Sequence, residues 1–428
     1  MTPETLVKNQ SGSENALSGE TFNREEFDAA VMSTYGRFPI ALEKGDLCRV
    51  WDAEGKEYLD FVAGIATCTL GHAHPALVAA VTRQIQTLHH VSNLYYIRPQ
   101  GELGKWLVNH SCADRVFFCN SGAEANEGAI KLARKYAHTV LNIEEPVILT
   151  AHASFHGRTL AAITATGQPK YHKNFHPLVP GFHYVPYNDI EALKAAIAEL
   201  DGSGKRRVAA IILEPLQGEG GVRPGDPSYF QQVRRLCDET GILLMLDEVQ
   251  IGMGRSGKMW GYENLGIEPD VFTSAKGLGG GIPIGALLCK SFCDVFQPGD
   301  HASTFGGNPF ACAVALTVCQ TLEKDNLVAN AADRGEQLRA GLRAIAAKYP
   351  EQITDVRGWG LLSGLELNAE IEIGAIDIVK AAMTQGLLLV PAGPKVIRFV
   401  PPLVVTAAEI DQALIRFEAA LSSINRVS

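Results

Sequence analysis

The sequence predicts an α/β fold, with a mostly parallel sheet in a large domain and a smaller α+β domain built from both termini. Three observations lead to this prediction. Short apolar runs alternate with amphipathic stretches through the middle of the chain. Most of these runs are continuously apolar, which is typical of strands covered by helices on both faces. The two ends of the chain differ, because they carry alternating and helical patterns of their own.

The middle of the chain supplies six predicted strands with helices between several of them. The first strand, RVFFCN, leads through SGAEAN into a stretch whose apolar residues recur at helical spacing. Another helix is predicted over DPSYFQQVRRLCDET, between the third and fourth strands. The predicted strands cover residues 115–120, 146–151, 208–215, 241–250, 270–276 and 284–290. Strands that alternate with helices in this way indicate parallel pairing.

The ends of the chain predict the smaller domain. Residues 48–66 alternate polar and apolar positions and contain turn residues, which is typical of a small antiparallel unit. A long helical stretch starts near residue 310, and further strands and helices follow it. The predicted order is a flexible arm, the first part of the small domain, the large domain and the second part of the small domain. These segments span residues 1–24, 25–75, 76–310 and 311–428.

Composition and charge exclude several classes of function. The chain has a formal charge of −9 and no dense run of Lys or Arg, which argues against nucleic acid as a partner. No apolar stretch reaches the ~18 residues of a membrane span, and residues 1–24 lack the pattern of a secretory signal. The nine cysteines form no C-x-x-C pair, so we expect reduced thiols and a cytoplasmic protein. His72 and His74 are too weak a pattern to predict a metal site.

A lone lysine, Lys276, ends a predicted strand directly before a glycine-rich turn. Lysine is almost never fully buried unless it is paired or used chemically. Asp247 ends the preceding predicted strand, and ligands of open α/β sheets bind at this edge. A desolvated lysine can form a Schiff base, and a buried carboxylate can meet a hydroxyl, a ring nitrogen or a metal, although no His or Cys pattern favours metal. The alternatives are a solvated lysine and a carboxylate at the surface.

Two further motifs suit the same kind of ligand. In CNSGAEAN, Ser121, Gly122 and Ala123 connect a strand to a helix, and the N-H groups of a helix N-terminus attract a phosphate, although a plain N-cap is the alternative. In SFHGRT, Phe155 can cover a flat ring and Arg158 can hold a carboxylate with two hydrogen bonds. A phosphate cradle, a lysine, an acidic partner and an aromatic cover together describe a site for pyridoxal 5′-phosphate (PLP).

The chain resembles the class III, or ω-amino acid, aminotransferases over roughly residues 25–425. The motifs that carry this resemblance are NSGAEAN, ASFHGRT, EPLQGEGG, LDEVQIGMGRSG, TSAKGLGGGIPIGA and STFGGNPFACAVAL. The resemblance implies the fold-type I architecture of PLP-dependent transferases. It also implies a homodimer with active sites at the subunit interface, in which a small-molecule amino donor and a 2-oxo acid react.

The resemblance implies a role for each matching residue. Lys276 and Asp247 are expected to be catalytic, as the Schiff-base lysine that moves the proton and as the partner of the ring nitrogen. Further expected cofactor contacts are Ser121, Gly122 and Ala123 at the phosphate, Phe155 stacked on the ring, Gln250 near its hydroxyl, and Thr304, which reaches the phosphate in the neighbouring subunit. Expected substrate contacts are Arg158 at the distal carboxylate, Ser303, and the switchable pair Glu219 and Arg398.

The expected reaction transfers the terminal amine of N2-acetyl-L-ornithine to 2-oxoglutarate, giving N-acetyl-L-glutamate 5-semialdehyde and L-glutamate in arginine synthesis. Transamination of 4-aminobutyrate or ornithine by the same site is an alternative. A glutamate 1-semialdehyde aminomutase and a non-catalytic PLP-binding protein are further alternatives. The presence of Glu219 and Arg398 disfavours the mutase, which does not alternate between an ω-amine and glutamate.

Overall fold

The computed structural model describes residues 22–202 and 204–424, so most of the predicted N-terminal arm lies outside the described residues. The helices are α1 Arg24–Ala30, α2 Ala63–Ala66, α3 Pro75–Thr87, α4 Arg98–Asn109, α5 Gly122–Thr139, α6 Leu160–Ala165, α7 Pro169–His172, α8 Ile190–Asp201, α9 Pro227–Thr240, α10 Pro309–Lys324, α11 Leu327–Lys348, α12 Ala375–Thr384 and α13 Ala407–Ile424. The strands are β1 Leu42–Asp46, β2 Arg49–Asp52, β3 Glu57–Asp60, β4 Arg115–Cys119, β5 Val147–Ala151, β6 Phe182–Val185, β7 Val208–Leu213, β8 Leu216–Gln217, β9 Arg223–Pro224, β10 Leu243–Asp247, β11 Val271–Ser274, β12 Gly285–Cys289, β13 Ile353–Trp359, β14 Leu362–Leu367, β15 Leu387–Leu388, β16 Val390–Pro391 and β17 Val396–Phe399.

Seven strands form the largest sheet, in the order β4-β12-β11-β10-β7-β5-β6. Strand β10 pairs in parallel with β7 and β11, and β5 pairs in parallel with β6 and β7. Strand β12 is antiparallel to both of its neighbours. The predicted sheet is therefore confirmed as mostly parallel, with one reversed strand.

Both faces of this sheet are covered, as the continuously apolar strands predicted. Leu244 and Leu246 of β10 belong to the hydrophobic cluster that includes Phe230 of α9. Leu243 and Met245, which point to the other face, belong to the cluster that includes Ile130 of α5. Because successive side chains of a strand face opposite sides, a strand buried on both sides needs apolar residues at every position.

All six strands predicted in the middle of the chain form, and three further strands there were not predicted: β6 in the large sheet, and β8 and β9, which pair with each other. Strand β6, with the sequence FHYV, lies at the edge of the sheet, and three of its four residues are only half-buried. An edge strand with polar residues lacks the apolar run that identified the others. The fourth predicted strand is shorter than expected because β10 ends at Asp247, its last residue paired with β11.

The two ends of the chain meet in a second, smaller sheet. Strand β15 from the C-terminal part pairs with β3 from the N-terminal part, where Leu387 lies beside Leu59. A further sheet, β13-β14-β17-β16, comes wholly from the C-terminal part and carries Arg398. The boundaries drawn at residues 75 and 310 remain a prediction. No helix in the described ranges is long and apolar enough to cross a membrane.

Candidate active site

A cavity of about 570 Å³ lies where the carboxyl ends of the parallel strands meet. Its lining includes Asn120 after β4, Glu214 after β7 and Ala275 after β11. The predicted site residues that line it are Ser121, Gly122, Ala123, Phe155, Arg158, Asp247, Gln250 and Lys276. The sheet edge therefore brings together segments from four separate parts of the chain. The other predicted residues lie beside this cavity or outside it, as described below.

The N-terminus of α5 provides an anion site at one end of the cavity. Ser121 is the N-cap, and its hydroxyl accepts a hydrogen bond from the backbone N-H of Glu124 (3.2 Å). Gly122 and Ala123 form the first turn, where N-H groups have no partner within the helix. A Cβ atom at Gly122 would lie 2.6 Å from the Val249 side chain, so only glycine permits this packing. Ser121 is thus an N-cap, and phosphate binding by the same turn stays a prediction.

Asp247 is held by a buried hydrogen-bond network at the end of β10. Its Oδ2 accepts from Asn126 Nδ2 (2.8 Å) and from His156 Nδ1 (2.8 Å). Its Oδ1 accepts from the backbone N-H of Val249 (3.0 Å). Thr273 donates to Asn126 Oδ1 (2.8 Å), which fixes the orientation of that amide. Three donors leave about one lone-pair direction of the carboxylate for a group in the cavity.

Lys276 has the features of a lysine used chemically rather than solvated. It is half-buried, and its Nζ forms no hydrogen bond or ion pair with the described part of the chain. Burial lowers its pKa below the ordinary value, while the nearby charges of Glu219 and Arg398 act in opposite directions. Its φ of 43° lies in the left-handed region, which costs a non-glycine residue about 1–2 kcal/mol. Such strain concentrates at functional positions.

Glu219 and Arg398 form an ion pair, and Gln250 joins it. Arg398 Nη1 donates hydrogen bonds to Glu219 Oε1 (2.6 Å) and to Gln250 Oε1 (2.8 Å). Gln250 Nε2 in turn donates to Glu219 Oε1 (3.1 Å). Burial raises the pKa of Glu219, but the charges of Arg398 and Lys276 and the hydrogen bonds from Arg398 and Gln250 together outweigh burial, so the net pKa is lowered. The structure thus places Gln250 on the ion pair, while its predicted contact with a ring hydroxyl stays a prediction.

The loop between β5 and α6, on one side of the cavity, carries both Phe155 and Arg158. The backbone N-H of Phe155 donates to the buried carboxylate of Glu214 (2.9 Å), which also accepts from the N-H of Gly218 (3.2 Å). Burial, and then the charge of Asp247, raise the pKa of Glu214 well above its ordinary value. Arg158 is exposed and forms no ion pair within residues 22–202 and 204–424. Its guanidinium is therefore free to take a carboxylate.

Neither Ser303 nor Thr304 lines the cavity of its own chain, but their surroundings differ. Ser303 lies close to the start of α5, where its hydroxyl accepts from Asn120 Nδ2 (3.1 Å) and from the N-H of Gly306 (2.9 Å). Thr304 is exposed and does not line the cavity of its own chain. This position leaves the Thr304 hydroxyl available to another subunit, and its predicted role stays a prediction.

Three residues of the site were not identified from the sequence. Asn126 and His156 hold Asp247, and Glu214 holds the loop that carries Phe155. Asn126 lies five residues after the N-cap Ser121, and His156 stands inside the motif SFHGRT. Their polar side chains within otherwise apolar surroundings were the available indication, but only the folded chain shows that they converge on one carboxylate.

The fold and this site define a fold-type I transferase with a lysine and an aspartate at the edge of its sheet. A family model described as Aminotransferase class-III matches residues 30–421. The chain is 72% identical over 426 residues to an acetylornithine aminotransferase of a Nostoc species, covering 99% of this chain and 100% of that one. It is 70% identical over 402 residues to an acetylornithine aminotransferase of Thermosynechococcus vestitus, covering 94% and 97%.

Solved structures agree with this assignment. An ornithine aminotransferase of Toxoplasma gondii superposes with a TM-score of 0.90 at 34% identity, covering 95% of this chain and 97% of that one. An N-acetylornithine aminotransferase of Stenotrophomonas maltophilia superposes with a TM-score of 0.80 at 40% identity, covering 92% and 98%. The chain belongs to the class-III aminotransferases.

The family implies PLP as the cofactor, and the residues of the cavity fit it. Lys276 Nζ has no hydrogen-bond partner in the described part of the chain and is the amine that would attach to the cofactor's aldehyde. The first turn of α5 would hold the phosphate, and Phe155 would cover the ring. Asp247 keeps an acceptor position that a protonated ring nitrogen would fill.

Proposed function

We propose that this protein is a PLP-dependent aminotransferase that transfers the terminal amine of N2-acetyl-L-ornithine to 2-oxoglutarate. The products are N-acetyl-L-glutamate 5-semialdehyde and L-glutamate, which makes the reaction a step of arginine synthesis. The high identity to relatives of nearly the same length that carry this activity in their names supports the proposal. The nine free cysteines suit a reducing compartment such as the cytoplasm.

The observation that carries the proposal is the Glu219–Arg398 ion pair beside the cavity. The two substrates differ at the reacting carbon, because acetylornithine has no carboxylate there and glutamate has one. With Glu219 in place, Arg398 is neutralised and the aliphatic donor meets no unpaired charge. When Glu219 moves aside, Arg398 can bind the carboxylate of glutamate. The buried Nε of Arg398, which lacks a partner in the described residues, adds a second donor for that carboxylate.

The chemistry follows from the positions of the chain's own residues. PLP supplies an electron sink for the electron pair left when a proton leaves the substrate carbon. Lys276 would take that proton and pass it to C4′, the cofactor carbon on the other side of the transferred nitrogen, for which its lowered pKa is suited. Asp247 would keep a proton on the ring nitrogen, and Asn126 and His156 fix the orientation of its carboxylate. Arg158 binds the carboxylate at the far end of either substrate.

We also propose a homodimer in which Thr304 of one subunit reaches the cofactor phosphate of the other. Leu94 and Tyr96 are 81% and 108% exposed, and Phe305 is 61% exposed. The two segments that carry these side chains are joined, since Asn93 donates to the carbonyl oxygens of Ser303 (3.0 Å) and Gly306 (2.9 Å). Exposed apolar patches of this kind mark protein interfaces. The patch therefore supports a second copy of the chain next to Thr304.

Steady-state kinetics with three amino donors test the proposal. Each donor is offered with 2-oxoglutarate, and kcat/KM is compared for N2-acetyl-L-ornithine, L-ornithine and 4-aminobutyrate. We expect the acetylated donor to have the highest value. If ornithine or 4-aminobutyrate is preferred, the substrate assignment is wrong, while the class of reaction stands.

A further inference from the structure

Arg158 is held in place by aromatic rings rather than by charges. Its guanidinium carbon lies 3.9 Å from the centre of the Tyr171 ring and 5.5 Å from that of the Phe155 ring. The Arg158 side chain is exposed, and it forms no hydrogen bond or ion pair with the residues that the structure describes. Contact with a ring face restrains the guanidinium while leaving its N-H groups free. Of these two rings, Tyr171 is the nearer to Arg158, the residue that we assign to the distal carboxylate.

Tyr171 itself stands on a firmly anchored segment. It lies in the short helix α7, where the neighbouring His172 is buried and its Nε2 lies 2.9 Å from the carbonyl of Ile163 and 2.8 Å from that of Thr166. Gln168, just before the helix, donates to the carbonyl of Ser154 (3.0 Å). The segment is thus tied to the loop that begins the motif SFHGRT.

The Tyr171 ring also contacts the expected stacking residue. Its edge meets the Phe155 ring at 80°, with 5.8 Å between the ring centres, a favourable aromatic geometry. A second cation, Lys170 Nζ, lies 4.7 Å from the centre of the Tyr171 ring. Tyr171 does not line the cavity, so its effect on a substrate must pass through its neighbours.

We propose that Tyr171 is a positioning residue that selects substrates with a distal carboxylate. Its ring holds the Arg158 guanidinium at the cavity before the substrate arrives. A long arginine side chain loses rotamer freedom when it binds, and prior restraint removes part of that cost. The inference rests on the proposed role of Arg158, and it applies to both half-reactions because acetylornithine and glutamate each carry a carboxylate far from the reacting carbon.

The test compares Tyr171→Leu with Tyr171→Phe, which keeps the ring and loses the hydroxyl. Stopped-flow half-reactions of the PLP-loaded enzymes use two matched donor pairs. N2-acetyl-L-ornithine is paired with N-acetyl-1,4-diaminobutane, which lacks the distal carboxylate, and L-glutamate is paired with L-alanine. In Tyr171→Leu we expect the apparent Kd of the two carboxylate-bearing donors to rise about twofold to fivefold, the range of a cation–π contact at an exposed site. The limiting rates and the two control donors should stay within about 1.5-fold of the wild type.

Other outcomes overturn the proposal in distinguishable ways. If Tyr171→Phe loses as much affinity as Tyr171→Leu, the hydroxyl acts and the ring face does not. If both members of a donor pair weaken alike, Tyr171 supports the fold of the site and not the carboxylate. If wild-type enzyme ignores acetylornithine, the proposed donor is wrong, but the glutamate and alanine pair still tests Tyr171. If Tyr171→Leu keeps both the wild-type affinity for the carboxylate-bearing donors and the wild-type melting temperature, Tyr171 does not position Arg158.

Discussion

Replacing Glu219 by Ala should impair one half-reaction and spare the other. The substitution leaves Arg398, which is 1% exposed, facing the aliphatic chain of acetylornithine without its counter-ion. Removing one partner of a buried ion pair costs about 3–5 kcal/mol. Glu219 is 24% exposed and Gln250 still accepts from Arg398, so the loss should fall below that range. We expect about 2 kcal/mol, or roughly thirtyfold, in the acetylornithine half-reaction.

The assay follows the cofactor spectrum in single-turnover reactions with each donor separately. In Glu219→Ala, the glutamate half-reaction should be unchanged or faster, because Arg398 no longer has to break its ion pair with Glu219 before it binds the carboxylate of glutamate. Replacing Arg398 by Ala should have the opposite selectivity, since the bidentate contact with glutamate and 2-oxoglutarate is lost. Glu219→Gln, which keeps an acceptor without the charge, should lie between wild type and Glu219→Ala. If both substitutions slow both donors by the same factor, the pair is structural and the switch is refuted.

The remaining predictions concern Lys276, Asp247 and the pH dependence of the ion pair. Lys276→Ala should lower turnover by about 10²–10⁴-fold, and borohydride should fix the cofactor's mass on the Lys276 peptide of wild type, as peptide mass spectrometry checks. Asp247→Asn should retain PLP but slow proton abstraction by about 10²–10³-fold in stopped-flow measurements, and a near-normal rate would place the carboxylate's function elsewhere. Because the pKa of Glu219 is lowered in the folded protein, its contribution to the free energy of unfolding should be complete above its unfolded value of about 4.3 and be lost as pH falls through the lowered pKa. Denaturant titrations of wild type against Glu219→Gln across this range check it, and a difference that persists unchanged at about pH 2 contradicts it.

The strands of the large sheet could be predicted because a strand that is buried on both faces is a continuous run of apolar residues. Each position of β7 and β10 is buried, and their sequences are continuously apolar up to the acidic residue at or just after the end of the strand. The edge strand β6 has no such apolar run, because half-buried positions accept His and Tyr. The pairing of β3 with β15 connects residues more than 300 apart. The patterns of the two ends predicted that they share one small domain, but they did not predict which strands pair.

A site residue could be predicted from the sequence when its residue type has a single chemical use at that place in the fold. Asp247 ends β10 and Lys276 lies two residues after the end of the neighbouring strand β11, so the sheet itself brings them to one cavity. Asn126 and His156 could not be predicted, because an Asn in a helix and a His in a loop have many ordinary uses. Their function depends on distances of 2.8 Å to one carboxylate, which spacing along the chain does not encode.

The central claim is that one site moves an amine from the terminal carbon of acetylornithine to the α-carbon of glutamate. Nitrogen-15 placed at the terminal amine of N2-acetyl-L-ornithine tests it directly, with unlabelled 2-oxoglutarate as acceptor and product analysis by mass spectrometry. The account predicts that the label appears in L-glutamate in a one-to-one ratio with N-acetyl-L-glutamate 5-semialdehyde, and that Lys276→Ala slows the transfer by about 10²–10⁴-fold. Label that remains in the donor, moves within it, or is released as ammonia would contradict the account.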